Sequence, residues 1–139
     1  MADKGPNPFV VDIEKATLDN EAFRDTLWTG KNLQLTVMTI PVGGEIGAEI
    51  HDDHDQFLRL EEGELRAQIG PAEDDLEIDE VIKADWAAFV PAGKWHNFVN
   101  ESDASAKLYS IYAPPEHAPG THHETKADAD NDPQETDAV

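Results

Sequence analysis

The stretch Gly43-Gly-Glu-Ile-Gly-Ala-Glu49-Ile-His51-Asp-Asp-His54-Asp-Gln56-Phe-Leu-Arg-Leu-Glu-Glu-Gly63 carries the most information in this chain. Residues two apart on a strand share a face, so Glu49 and His51 point the same way. Gln56, across the Asp52–Asp55 connection, can face back at them. A second stretch, Asp85-Trp-Ala-Ala-Phe-Val-Pro91-Ala-Gly93-Lys-Trp-His96-Asn-Phe-Val-Asn100, places His96 just after a sharp Pro-Ala-Gly turn, on a separate strand. Two imidazoles, one carboxylate and one amide oxygen converging inside a barrel make a nitrogen and oxygen site with positions left for water or substrate. Such a donor set suits iron, manganese, zinc or nickel.

Outward from these stretches the pattern is one of short apolar or alternating segments separated by Gly, Pro and acidic turns. Strands are expected at Leu33–Ile40, Glu45–His51, Gln56–Leu60, Leu65–Ile69, Leu76–Ile82, Trp86–Val90, Trp95–Asn100 and Lys107–Tyr112, with a hairpin turn at Glu61–Glu64. Many short strands without a long helix argue for an all-β sandwich or barrel. Asp12 to Arg24 has helix formers with a weak apolar rhythm and predicts at most a short helix. Pro114-Pro115 ends the last strand. Beyond Gly120 only Val139 is a large apolar residue, so order is not expected from about Ala127 onward.

The spacing Gly43-x5-Glu49-x-His51-x4-Gln56-x6-Gly63 resembles the first cupin motif, G-x5-H-x-H-x3–4-E-x6-G. Asp85-x5-Pro91-x-Gly93-x2-His96-x3-Asn100 resembles the second, G-x5-P-x-G-x2-H-x3-N. The resemblance spans about Thr26 to Pro115 and implies a cupin jelly-roll, a double-stranded β-helix barrel that is commonly dimeric and holds a metal near its wider mouth. The implied organisation is an N-terminal arm and short helical or irregular segment over 1–25, the barrel over 26–115 and an acidic C-terminal tail over 116–139. Carried over by position, the implied metal ligands are Glu49, His51, Gln56 and His96. Three positions depart from the pattern: Glu49 stands where cupins usually have His, Gln56 where they usually have Glu, and Asp85 where the second motif opens on Gly. One carboxylate is kept but has moved, and Gln56 is a neutral, weaker donor. Ala113 to Lys126 resembles the ending of small cupins grouped as mannose-6-phosphate-isomerase-like, which leaves His117, His122 and His123 either closing over the mouth or lying on a mobile tail.

Composition narrows the chemistry. The chain has 139 residues, the length of one domain, and its lack of cysteine excludes disulfides, thiolate nucleophiles and cysteine-based metal sites. No apolar run approaches the roughly 20 residues that cross a bilayer, and the N-terminus has no leader-like apolar region, so a cytoplasmic protein is expected. Thirty acids against ten bases give a formal charge of −20, which repels nucleic acid and anionic membrane. The excess is dispersed along the chain rather than confined to its end. Self-repulsion of that size weakens a compact state at low salt, whereas molar salt shortens the screening length to about 3 Å, so a halophilic setting is expected. Equal melting in dilute buffer and molar KCl would refute it.

His54 offers a competing ligand set, His51, His54 and His96, but this requires the Asp52-Asp53 segment to turn; otherwise His54 is an exposed residue of an acidic loop. Three functions stay open. A metal-dependent enzyme would use the ion as a Lewis acid on a small oxygenated substrate, with Glu49 as the catalytic proton carrier. Within that class a sugar isomerase-like reaction on a phosphate ester needs cations, and in the strands and their turns only Arg59, Arg66, Lys94 and Lys107 qualify; an Fe(II) dioxygenase would use His51, His96 and Glu49 as two imidazoles and one carboxylate. A non-catalytic module binding a small molecule or metal is the alternative from a different class.

Overall fold

The computed structural model describes residues 2–136, and among these it is a mostly β protein built of ten strands and three short helices. In chain order these are α1 (Ile13–Asp19), β1 (Arg24–Thr29), β2 (Gln34–Ile40), β3 (Glu49–Ile50), β4 (Asp55–Glu62), β5 (Glu64–Gly70), β6 (Ile78–Lys83), β7 (Ala87–Val90), β8 (Trp95–Val99), β9 (Ala106–Ala113), β10 (His122–His123), α2 (Lys126–Asp130) and α3 (Pro133–Thr136). One sheet runs β10-β1-β2-β9-β4-β7 and the other β3-β8-β5-β6. Every pairing between strands is antiparallel. From β2 to β9 the chain passes back and forth between the two sheets, staying in one sheet only at the β5–β6 pair, which is the double-stranded β-helix the motif spacing implies.

Alternation explains the core. On β4, Gln56, Leu58 and Leu60 are buried while Phe57, Arg59 and Glu61 are less so. Leu58 and Leu60 meet Met38, Ile40, Leu65, Phe98 and Leu108 between the sheets, where each is fully or almost fully shielded. β9 lies between β2 and β4 in its sheet. Glu61–Glu64 is not a hairpin: β4 and β5 belong to different sheets, and the turn is a corner from one to the other. Gly63 sits there at φ +89°, and a Cβ on it would lie 2.8 Å from the Ser105 carbonyl oxygen.

The first strand begins at Arg24, so the barrel takes in residues that the sequence pattern left in the arm. The expected strand over Glu45–His51 contracts to β3 plus an isolated bridge from Glu45 to Val99. Helix α1 starts on an Asp12 cap, and its last carbonyls are met by the buried Lys107 ammonium, which donates to Leu18 O at 2.9 Å and Asn20 O at 2.6 Å.

The tail also differs from expectation. Its backbone returns to the barrel, where β10 pairs with β1 in the register Arg24↔His123 and Asp25↔His122. Thr125 then caps α2 through a reciprocal capping box with Asp128. Polar contacts to distant strands, rather than an apolar stripe, hold this segment; the part of the expected disorder that falls on residues 137–139 lies outside the described residues. Among the described residues no helix is long and apolar enough to cross a membrane.

Candidate metal centre

Strand pairing brings the two motifs together. Glu49 on β3 lies directly opposite His96 on β8, and His51 follows one residue after β3. One ligand atom from each of Glu49, His51 and His96 falls within 4.8 Å of the others. His51 Nε2 is 2.8 Å from Glu49 Oε2, yet this nitrogen makes no hydrogen bond. Bond lengths of about 2.0–2.2 Å to a shared cation place neighbouring ligand atoms about 3 Å apart, so the donor set fits a divalent ion.

Gln56, on β4, is buried; its amide nitrogen donates to Ser110 Oγ at 3.3 Å, while its Oε1 has no hydrogen-bond partner. Seven further buried atoms of the described residues share that condition, among them His51 Nε2, His54 Nε2, Glu116 Oε2 and His117 Nε2. Buried polar atoms without partners are destabilising unless something completes them. Tyr112 lies among these rings, edge-on to His51, His54 and His117.

His54 is not an exposed loop residue. The chain bends at Asp52-Asp53, and the His54 ring, 8% exposed, stacks on that of His51 with centroids 4.4 Å apart. It joins His51 and Glu116 in a second cluster whose ligand atoms lie within 4.8 Å. The two clusters share the His51 ring, with Glu49 beside Nε2 and Glu116 Oε1 2.9 Å from Nδ1. A cation on one nitrogen leaves the carboxylate on the other to orient the ring.

Glu116 is the residue that sequence patterns missed. It follows Pro114-Pro115, with no periodicity to mark it. Gln34, fully buried on β2, accepts at Oε1 from the Glu116 N–H at 3.1 Å and the His117 N–H at 2.9 Å, and donates from Nε2 to the His117 carbonyl at 2.8 Å. Glu135 of α3 approaches His117 Nδ1 at 2.8 Å. His123 is buried against Arg24 and Asp132, whereas His122 is half exposed between Asp25 and Glu124.

The electrostatics favour positive charge at the centre. Burial pushes His51 down, but Glu116 and Glu49 outweigh it and raise its pKa to about 9. Burial raises Glu49, yet His51, Arg24 and His96 leave it below the usual carboxylate range. His96 is pushed down, first by burial and also by His51, so it is a neutral imidazole suited to ligation. Beside these groups opens a cavity of about 500 Å³, lined on its apolar side by Phe23, Ile46, Ile50 and Trp95 and on its polar side by Arg24, Glu49, His51, Glu116 and Glu135.

Arg59, Arg66, Lys94 and Lys107 do not line this cavity. Arg59 pairs with Glu61 and Asp85, Arg66 with Asp79 and Glu101, Lys94 with Glu77, and Lys107 with Glu21. Among the described residues, the one arginine or lysine that lines it is Arg24.

Residues 36–112 match the cupin domain family model, and the chain belongs to the cupin family. It is 51% identical over 129 residues to the uncharacterized protein YrkC of Bacillus subtilis (strain 168), covering 93% of this chain and 69% of YrkC. It is 35% identical over 113 residues to the uncharacterized protein L612 of Acanthamoeba polyphaga mimivirus, covering 81% of this chain and 69% of that one. Among solved structures it is similar to BH2720 from Bacillus halodurans, with 53% identity and a TM-score of 0.92 over 95% of this chain and 100% of that chain.

Proposed function

We propose that this cupin binds one divalent ion, iron, manganese, zinc or nickel, through Glu49, His51 and His96, with Gln56 as a neutral fourth donor, beside a cavity for a small oxygenated metabolite. The observation that carries this reading is the set of buried donor atoms without hydrogen-bond partners around His51. When bound, the ion supplies Lewis-acid polarisation of a substrate oxygen. Glu116 fixes the His51 ring through Nδ1. Tyr112 and the apolar wall limit water, and the Glu49 carboxylate, about one-third exposed, is the group able to carry a proton to or from a ligand in the cavity. In this reading the segment after Pro115 is part of the functional unit.

Two imidazoles and one carboxylate favour an Fe(II) oxygenase-type centre as the second reading. A sugar-phosphate isomerase is less favoured, because Arg59, Arg66, Lys94 and Lys107 are engaged in ion pairs away from the cavity, which leaves Arg24 facing four acids there. A non-catalytic module would keep ligand affinity after Glu49→Ala, where an enzyme loses turnover. The proposal includes a cytoplasmic setting and a homodimer through the sheet edge at β7, where Phe89 is 70% exposed. Light scattering tests the dimer: the wild type is expected at twice the chain mass and Phe89→Ser at the chain mass, and a monomeric wild type overturns it.

Elemental analysis of untagged protein tests the metal reading. About one equivalent of metal is expected in the wild type, with none in His51→Ala/His96→Ala. No metal after reconstitution, or undiminished metal in the double variant, overturns it.

A further inference from the structure

Arg24 is 3% exposed, lines the cavity beside Glu49 and His51, and has no carboxylate within salt-bridge distance among the described residues. Its hydrogen bond runs from Nη1 to His123 Nδ1 at 3.3 Å, and its Nε, shielded from water, has no partner. A buried guanidinium left in that state is costly, since burying a charge is tolerated when its donors are met. Besides Arg24 and His51, the cavity's polar wall is acidic: Glu49, Glu116, Asp130 and Glu135.

We infer that Arg24 is the recognition residue for a small carboxylate, so that the ligand of this cavity is an oxygen-bearing carboxylic acid gripped by Arg24 at its acid end. The planar guanidinium fork matches a carboxylate, with two parallel N–H donors meeting two oxygens. The four acids repel a phosphate dianion about twice as strongly as a carboxylate monoanion, so a singly charged acid is the anion that Arg24 can hold there. A neutral sugar would leave the guanidinium fork without a matching pair of acceptors. With the acid end on Arg24, the remaining oxygens of the ligand face Glu49 and His51, where the metal is proposed to bind. The inference deepens that reading of the cavity and rests on it for the second contact.

Calorimetric titration of the full chain, once metal-loaded and once stripped with EDTA, tests the inference at constant ionic strength. The probes are acetate, glycolate, oxalate and benzoate, with glycolamide as the neutral analogue and inorganic phosphate as the dianion. At least one carboxylate is expected to bind the metal-loaded protein about tenfold or more tightly than glycolamide and phosphate. Arg24→Gln is expected to remove that preference while its metal content stays at the wild-type value, and Arg24→Lys to recover part of it. Binding by Arg24→Gln within twofold of wild type, a stronger response to phosphate or glycolamide, or no carboxylate bound at all overturns the inference. Should Arg24→Gln fail to fold, the wild-type comparison and Arg24→Lys decide by the same criteria. A chain that takes up no metal but binds a carboxylate through Arg24 removes the metal reading alone; one that takes up metal but ignores all four acids removes this inference alone.

Discussion

Glu116 Oε1 lies 2.9 Å from His51 Nδ1, so a residue of the chain's last quarter orients the central histidine of the first motif. The carboxylate that Gln56 lacks is thus present in the site from another direction. A carboxylate behind an imidazole fixes the ring and raises its basicity toward a cation on the other nitrogen.

Glu116→Gln is therefore expected to weaken metal binding by about 10- to 100-fold while leaving the barrel folded. Competition against a chelator of known affinity, alongside far-UV circular dichroism, measures both. Unchanged affinity would show that Glu116 has no part in the centre.

Gln34→Leu removes the side chain that holds the backbone at Glu116 and His117. Leaving those buried groups unmet is expected to cost about 2–4 kcal/mol in urea unfolding. Metal affinity is expected to fall as well, because Glu116 loses its anchor. A stability loss without any change in metal binding would separate the two roles.

His122 gives a pH dependence with a defined sign. Asp25 and Glu124 raise its pKa above 6.5, with burial acting against them. Its stabilisation is fully present below the unfolded value near 6.5 and is lost as pH rises through the higher folded value. Wild type is expected to melt above His122→Gln at pH 5.5 and at the same temperature at pH 9. The half-exposed position and salt screening keep the difference under about 1 kcal/mol, so low ionic strength is the condition to use. An equal gap at both pH values would refute the assignment.

The barrel strands are legible in the chain because their signals are local. Alternation along Gln56–Leu60, the turn at Pro91–Gly93 and the positive-φ glycine at 63 act over a few residues each. Two-residue periodicity puts Glu49 and His51 on one face, and the resemblance to the two cupin motifs, itself a matter of spacing along the chain, adds Gln56 and His96. The Glu61–Glu64 turn was legible as a turn but not as a corner, because the same residues serve a hairpin or a passage between sheets.

Arg24, His54, Glu116, His117 and Glu135 belong to the other kind. No apolar rhythm surrounds the tail, so local propensity leaves it without order. Its place comes from Gln34 meeting the backbone at 116–117, from β10 pairing with β1 and from His117 meeting Glu135. These contacts join residues far apart in the chain, and their partners are recognisable once the barrel has closed. Motif spacing along the chain is enough to name the barrel and to group Glu49, His51 and His96; the second carboxylate and the buried guanidinium that lie beside them, Glu116 and Arg24, are set by long-range polar pairing that no short segment encodes.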